Sequence, residues 1–240
     1  MAVSIDNVYQ KVLSFANKEQ RGYITPQQFN LFAHQAQMEI LEQYFYDINQ
    51  WSKGQGNSTE HSDMLLEINE KVAMFKVTMT SPAFAFNTTT QDVTLPDILY
   101  RIGTVSHTRF GESGRVTFEE LNYDEHKLRQ ASPLTTATLK RPYFVNQNGV
   151  LNLHTGSALG ANEVGLSFVR KPYPPNWGYV VVNGKTLYND NTSVDFWLHT
   201  SEESELVYRI LAYAGITIQK PELTQIAAKA LGSQIQQEKQ

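Results

Sequence analysis

Residues 25–49 read TPQQFNLFAHQAQMEILEQYFYDIN. Thr25 is placed to cap a helix, Pro26 fits the first helical position, and Gln28 stands three residues after the cap. The predicted helix runs to about Asn49. It carries two apolar lines: Phe29, Ala33, Ala36, Ile40 and Tyr44 on one, and Leu31, Met38, Leu41, Phe45 and Ile48 on the other. A helix apolar over so much of its circumference needs cover on more than one side. A neighbouring helix supplies one side, and a second domain or another subunit supplies the other. Leu31, Phe32, Met38 and Phe45 are therefore the candidate subunit-interface residues.

On the N-terminal side, Ile5, Val8, Val12 and Phe15 follow helical spacing. On the C-terminal side, Lys53–Ser62 (KGQGNSTEHS) reads as a linker, and Asp63–Phe75 as a further helix. The texture changes at Lys76. Alternation predicts strands over Lys76–Thr80, Leu99–Val105, Val150–His154 and Val164–Val169. Val180–Tyr188 (VVVNGKTLY) places Asn183-Gly184 between two strand-like runs, a hairpin signal because both residues tolerate positive φ. One helix is predicted among the strands, Thr117–Gln130, with acids early and bases late. Helices return with Thr200–Glu203, weaken at Gly215, and restart at Pro221. The expected fold is α+β: N-terminal helices over 1–75, a central antiparallel β-rich sandwich or barrel-like domain with one helix over 76–199, and C-terminal helices and tail over 200–240.

The chain has 240 residues, 20 Lys and Arg against 24 Asp and Glu, and no cysteine. Disulfide scaffolds and thiolate metal sites are excluded. Charged residues are 18% of the chain, below the usual ~25%, and Lys and Arg do not cluster as nonspecific nucleic-acid binding requires. No run reaches the ~20 apolar residues of a membrane helix. Met1–Asp6 shows no signal-peptide pattern.

Motifs for catalysis are sparse. No phosphate loop, dinucleotide fingerprint or nucleophile elbow occurs, and Phe110–Arg115 reads as a plain loop. His107 and His154 fall in or beside strands and could meet across a sheet, but they read as two unrelated polar positions. Glu119, Glu120, Asp124, Glu125 and His126 are the densest potential ligands, with Glu120 and Asp124 one turn apart on the predicted helix. They read as a solvated face. Asp190 and Asp195 are the best carboxylate pair and read as turn formers. Tyr173–Tyr179 (YPPNWGY) could stack on a ligand, or anchor an extended loop. No catalytic, metal or cofactor site is assigned.

Val8–Gln50 resembles the opening of virion proteins from tailed phages. Leu95-Pro96-Asp97-Ile98-Leu99-Tyr100, then Ala131–Leu134, Lys140-Arg141-Pro142-Tyr143 and Gly165–Pro172 follow in an order similar to the signature of phage head–tail connector proteins. Glu203–Gln225 resembles their closing helical segment. These are the adaptor or ring proteins of short-tailed and crAss-like phages. The resemblance implies a non-enzymatic virion protein without cofactors, assembled as a ring, commonly of twelve copies. It implies as partners the portal and neighbouring tail proteins, with DNA passing but not specifically bound and no membrane involved. The alternative is a β-sandwich ligand-binding module of a tail fibre or baseplate, using the Tyr173–Tyr179 aromatics. Gly232–Gln240 is polar apart from Ile235 and is expected to order only on docking to a partner, with Leu231 and Ile235 as docking residues.

Overall fold

The computed structural model describes residues 3–16, 24–53, 59–108, 115–217 and 221–238, and side chains within 3–16, 24–50, 66–108, 115–215 and 225–233. The first elements are α1 (Ile5–Ala16), α2 (Pro26–Lys53) and α3 (Thr59–Ala73). Then come β1 (Lys76–Thr80), β2 (Phe86–Asn87), β3 (Asp92–Thr94), β4 (Leu99–Thr108), β5 (Arg115–Thr117) and β6 (Glu119–Glu120). Next are α4 (Tyr123–Ala131), β7 (Tyr143–Gln147), β8 (Val150–His154) and β9 (Val164–Arg170). The chain closes with β10 (Tyr179–Val182), β11 (Lys185–Tyr188), α5 (Glu203–Thr217) and α6 (Pro221–Glu238). The fold is α+β, with helices at both ends and a strand-rich middle. It divides into two compact units, Met1–Met74 with Pro172–Gln240, and Phe75–Lys171.

In the helical unit, α2 starts with the capping box its sequence predicts. The Thr25 N–H donates to Gln28 Oε1 at 3.2 Å, and the Gln28 N–H donates to Thr25 Oγ1 at 3.3 Å. The first apolar line of α2 is buried throughout: Phe29, Ala33, Ala36, Ile40 and Tyr44. Leu206, Val207, Ile210 and Leu211 form a buried face of α5, which packs on α1, α2 and α6. Lys53 is the last residue of α2 and Thr59 the first of α3, so the predicted linker narrows to 54–58, outside the described residues. At the C-terminus, α6 continues to Glu238, where the sequence suggested a tail without structure of its own.

The expected boundary at residue 199 is corrected to 171. Pro172–His199 belongs with the helices because α1 and α2 supply its hydrogen-bond partners. Gln37, fully buried on α2, donates through Nε2 to Tyr173 O at 2.9 Å and accepts from the Trp197 N–H at 3.0 Å. Asn30 Oδ1 accepts the Trp177 N–H at 2.8 Å. Trp177 Nε1 donates to Asp6 Oδ1 at 2.9 Å. Asp195 Oδ1 in turn accepts the N–H of Ile5, the first residue of α1, from across the chain. A buried ion pair adds to these links: Lys71 Nζ lies 2.9 Å from Glu202 Oε1, their side chains 10% and 1% exposed.

The second unit is a sandwich. One sheet has the order β1-β9-β4-β5, and the other β2-β3-β8-β7-β6. Alternation sends Val105, Val164, Leu166 and Phe168 inward from the first, and Val93, Phe144, Leu151 and Leu153 from the second. All pairs are antiparallel except β6 with β7. Strands β7 and β8 turn through Asn148-Gly149, at φ 50° and 75°, so both central residues are left-handed as a type I′ turn requires. The predicted helix Thr117–Gln130 is shortened to Tyr123–Ala131. Its first residues pair instead: Phe118 is a buried core residue whose N–H donates to Val105 O, and Glu119 and Glu120 align with Tyr143 and Phe144. The helix starts after Asn122, whose N–H is accepted by Glu125 Oε2 at 3.2 Å.

Candidate functional site

Two surfaces, one in each unit, stand out. In the helical unit the hairpin β10–β11 has its predicted turn, with Asn183 at φ 51° and Gly184 at φ 75°. Its base is fixed by aromatics: Trp177 packs on Tyr9 at 4.2 Å, Tyr188 at 5.7 Å and Tyr179 at 6.0 Å between ring centroids. Beyond that base Val180, Val181, Val182 and Leu187 are all about half exposed or more. Successive residues point to opposite faces, so the ribbon is apolar on both. An isolated two-stranded ribbon is marginal in water, and this one leaves its branched side chains to solvent.

The interface candidates on α2 separate. Leu31 is 70% exposed. Phe32 is half-buried and stacks on Tyr213 at 6.0 Å. Met38 and Phe45 are also half-buried. Leu231 on α6 is half-buried, and the side chain of Ile235 lies outside the described residues.

The second surface is a cleft of about 610 Å³ in the sandwich unit. It forms on the outer face of the five-stranded sheet, where α4 lies against β7 and β8. Registers place Tyr143 opposite His154, and Val145 and Asp92 on either side of Asn152. These residues alternate with the core-facing Phe144, Leu151, Leu153 and Val93, so they share the outer face. From α4, His126 stacks on His154 at 4.4 Å and meets Tyr143 edge-on at 5.7 Å. His126 Nδ1 is buried without a hydrogen-bond partner among the described residues. Burial, then the neighbouring His126, hold the His154 imidazole below its ordinary value, with Asp92 opposing. Burial likewise pushes the Tyr143 phenol up, against the pull of Arg129.

His107 and His154 are unrelated polar positions, as their sequence reading has them, and do not meet across a sheet. They lie in different sheets; His107 is buried, with Nε2 3.1 Å from Leu139 O, and His154 meets His126 instead. Glu120 and Asp124 are not one helical turn apart, because Glu120 lies in β6. Among the described residues no group of three or more His, Asp or Glu is placed to hold a metal. Asp190 accepts the Tyr188 hydroxyl and Asp195 caps α1, so both serve the fold. Tyr173–Tyr179 is an anchored loop: Trp177 is buried, and Tyr173 packs on Trp197 at 5.4 Å. The loop before Arg115 lies outside the described residues. Sequence reasoning passed over the Asn148-Gly149 turn, which was legible, and the cleft, which depends on α4 folding back over the sheet. No known protein family matches the chain, and no characterised protein is significantly similar to it in sequence.

Proposed function

We propose that this chain is a structural, non-catalytic virion protein of a tailed phage. It is one subunit of a ring in the head–tail connector beneath the portal, where it contributes to DNA passage and tail attachment. The observation that carries the reading is the apolar hairpin. A ring subunit makes heterologous contacts, giving one patch to the next copy and receiving a different one on its other flank. Val180, Val181, Val182 and Leu187 project as such a patch, and Leu31 adds exposed apolar surface on α2. Fully burying a branched side chain contributes about 1.5–3 kcal/mol, and the free strand edges of a ribbon add backbone groups for pairing. The motif order from Leu95 to Pro172 supports the same reading, as does the net charge of −4, which suits a passage that does not grip DNA. Placement in a tail fibre or baseplate is the second reading; the sandwich cleft favours it, and the Tyr173–Tyr179 loop does not.

Light scattering and negative-stain microscopy of the purified chain test the ring. Rings or concentration-dependent oligomers are expected, and Val181→Asp with Leu187→Asp should give a folded monomer. A wild-type chain that stays monomeric at about millimolar concentration, or a hairpin variant that assembles normally, would overturn the proposal. Duplex DNA should not be retained at physiological salt.

A further inference from the structure

The cleft between α4 and the outer face of the five-stranded sheet has no part in the ring proposal and holds whether or not that proposal does. Its volume of about 610 Å³ lies within the ~300–1,000 Å³ of small-molecule sites. Its chemistry narrows the occupant. More than half of the residues that line it carry an amide, hydroxyl or carboxylate, Tyr123 and Tyr143 among them; His126 and His154 add two further rings, and the rest are small or aliphatic. No Lys or Arg lines it among the described residues. Nearby Arg129 is paired with Glu119 at 2.9 Å. A phosphate or other anion would meet the Asp92 carboxylate on the sheet, while Lys127 and Arg129 are engaged on aromatic rings, over Tyr123 and Tyr143. An apolar ligand would strip water from the Asp92 carboxylate and the Asn152 amide and leave them unpaired.

We infer that this cleft binds a neutral oligosaccharide. A sugar ring presents hydroxyls at its edge and C–H groups on its faces, and both find partners. Asp92 and Asn152 are directly opposite across β3 and β8, so a carboxylate and an amide stand side by side to engage adjacent hydroxyls. Tyr123 offers a half-exposed ring at the rim, with Lys127 over it at 4.6 Å.

The walls are fastened before any ligand arrives. Gln91 Oε1 accepts the Leu159 N–H at 2.9 Å, and its Nε2 donates back to Leu159 O at 3.3 Å. Gly156, at φ 71°, lets the loop after β8 approach Ala137 so closely that a Cβ would lie 2.5 Å from the Ala137 oxygen. Such preorganisation lowers the ordering cost of binding.

The test uses the full chain and tetrasaccharides derived from α-glucan, β-glucan, chitin, mannan and galactan, each at up to about 10 mM. Sialyllactose and glucose 6-phosphate serve as anionic controls. Saturation-transfer NMR should detect at least one neutral tetrasaccharide, with a dissociation constant of about 0.1–1 mM, and the ring C–H signals of His126 and His154 should shift on titration. Asp92→Asn and Asn152→Ala should each weaken binding tenfold or more. Tyr123→Ala, at a half-exposed position, should weaken it without lowering the melting temperature, so the result does not depend on the sheet variants folding. No binding by any neutral tetrasaccharide, binding by the anionic controls alone, or binding that all three variants leave unchanged would overturn the inference.

Discussion

The helical unit and the sandwich are held by different means. The sandwich, Phe75–Lys171, is one continuous stretch, and its interior is largely aliphatic and aromatic, with His107 as its main buried polar side chain. The helical unit joins two separate stretches of chain, and buried or half-buried polar groups link them: Gln37 to Tyr173 and Trp197, Asp6 to Trp177, Lys71 to Glu202, Arg209 to Glu39 at 3.1 Å. Apolar contacts are non-directional and tolerate neighbours of similar shape. A buried amide or ion pair accepts only a partner with matching geometry. The polar links therefore specify which two segments meet, while the apolar core of the sandwich needs only its strand registers.

The contrast breaks most visibly at Lys71. Replacing it with Met leaves Glu202 buried without its cation, and a loss of about 3–5 kcal/mol is expected in urea unfolding. The double variant Lys71→Met, Glu202→Leu should recover most of that loss. If it recovers none, Lys71 acts through packing alone. In the sandwich, Leu151→Ala should cost about 2–5 kcal/mol by opening a cavity in a fully buried site. Hydrogen exchange sharpens the comparison: Lys71→Met should loosen amides of α3 and α5 and spare β7 and β8, while Leu151→Ala should do the reverse. Gly156→Ala should cost less, about 1–3 kcal/mol, from a positive φ and the Ala137 oxygen; thermal melting reads it.

The smallest effects come from pH, and the two units respond at opposite ends of the scale. Folding holds His154 below 6.5, so the unfolded chain takes up this proton first. That part of sandwich stability is intact above about pH 6.5 and declines as pH falls below it. His154→Gln should flatten the change in melting temperature between pH 7.5 and 5.5. In the helical unit, burial and the hydrogen bond to Glu39 push the Tyr213 phenol from 10.0 to about 12. Its contribution is intact below pH 10 and lost between 10 and 12. A tyrosinate absorbance titration should contain a late component that Tyr213→Phe removes.

Local signals were legible wherever the chemistry was local. The Thr25–Gln28 box, β1, β8 and the Asn183-Gly184 hairpin occur where the pattern puts them, because propensity and tertiary context agree there. Thr117–Glu120 shows the opposite. Acids before bases suggested a helix, but Phe118 completes the core and Glu119–Glu120 pair with β7, so tertiary pairing won. The domain boundary failed for a related reason. Pro172–His199 contains a true hairpin, yet its buried partners lie on α1 and α2, more than a hundred residues away in sequence, where no local pattern can point. The cleft was hidden in the same way, since His126 and His154 become neighbours only through the fold.

The pairing of β1 with β9 has a consequence for how such a chain can change over time. Lys76 lies opposite Val169, and the Arg170 N–H donates to Phe75 O at 2.9 Å. Entry to and exit from the sandwich are thus one strand spacing apart, about 5 Å, a gap that two residues can bridge. The sandwich is an insertion in the helical sequence whose two chain ends lie together. An insertion of that kind can be excised, exchanged or remodelled at little loop-closure cost, while the helical unit keeps its own core. Substitutions in the sandwich can then accumulate almost independently of those in the helices.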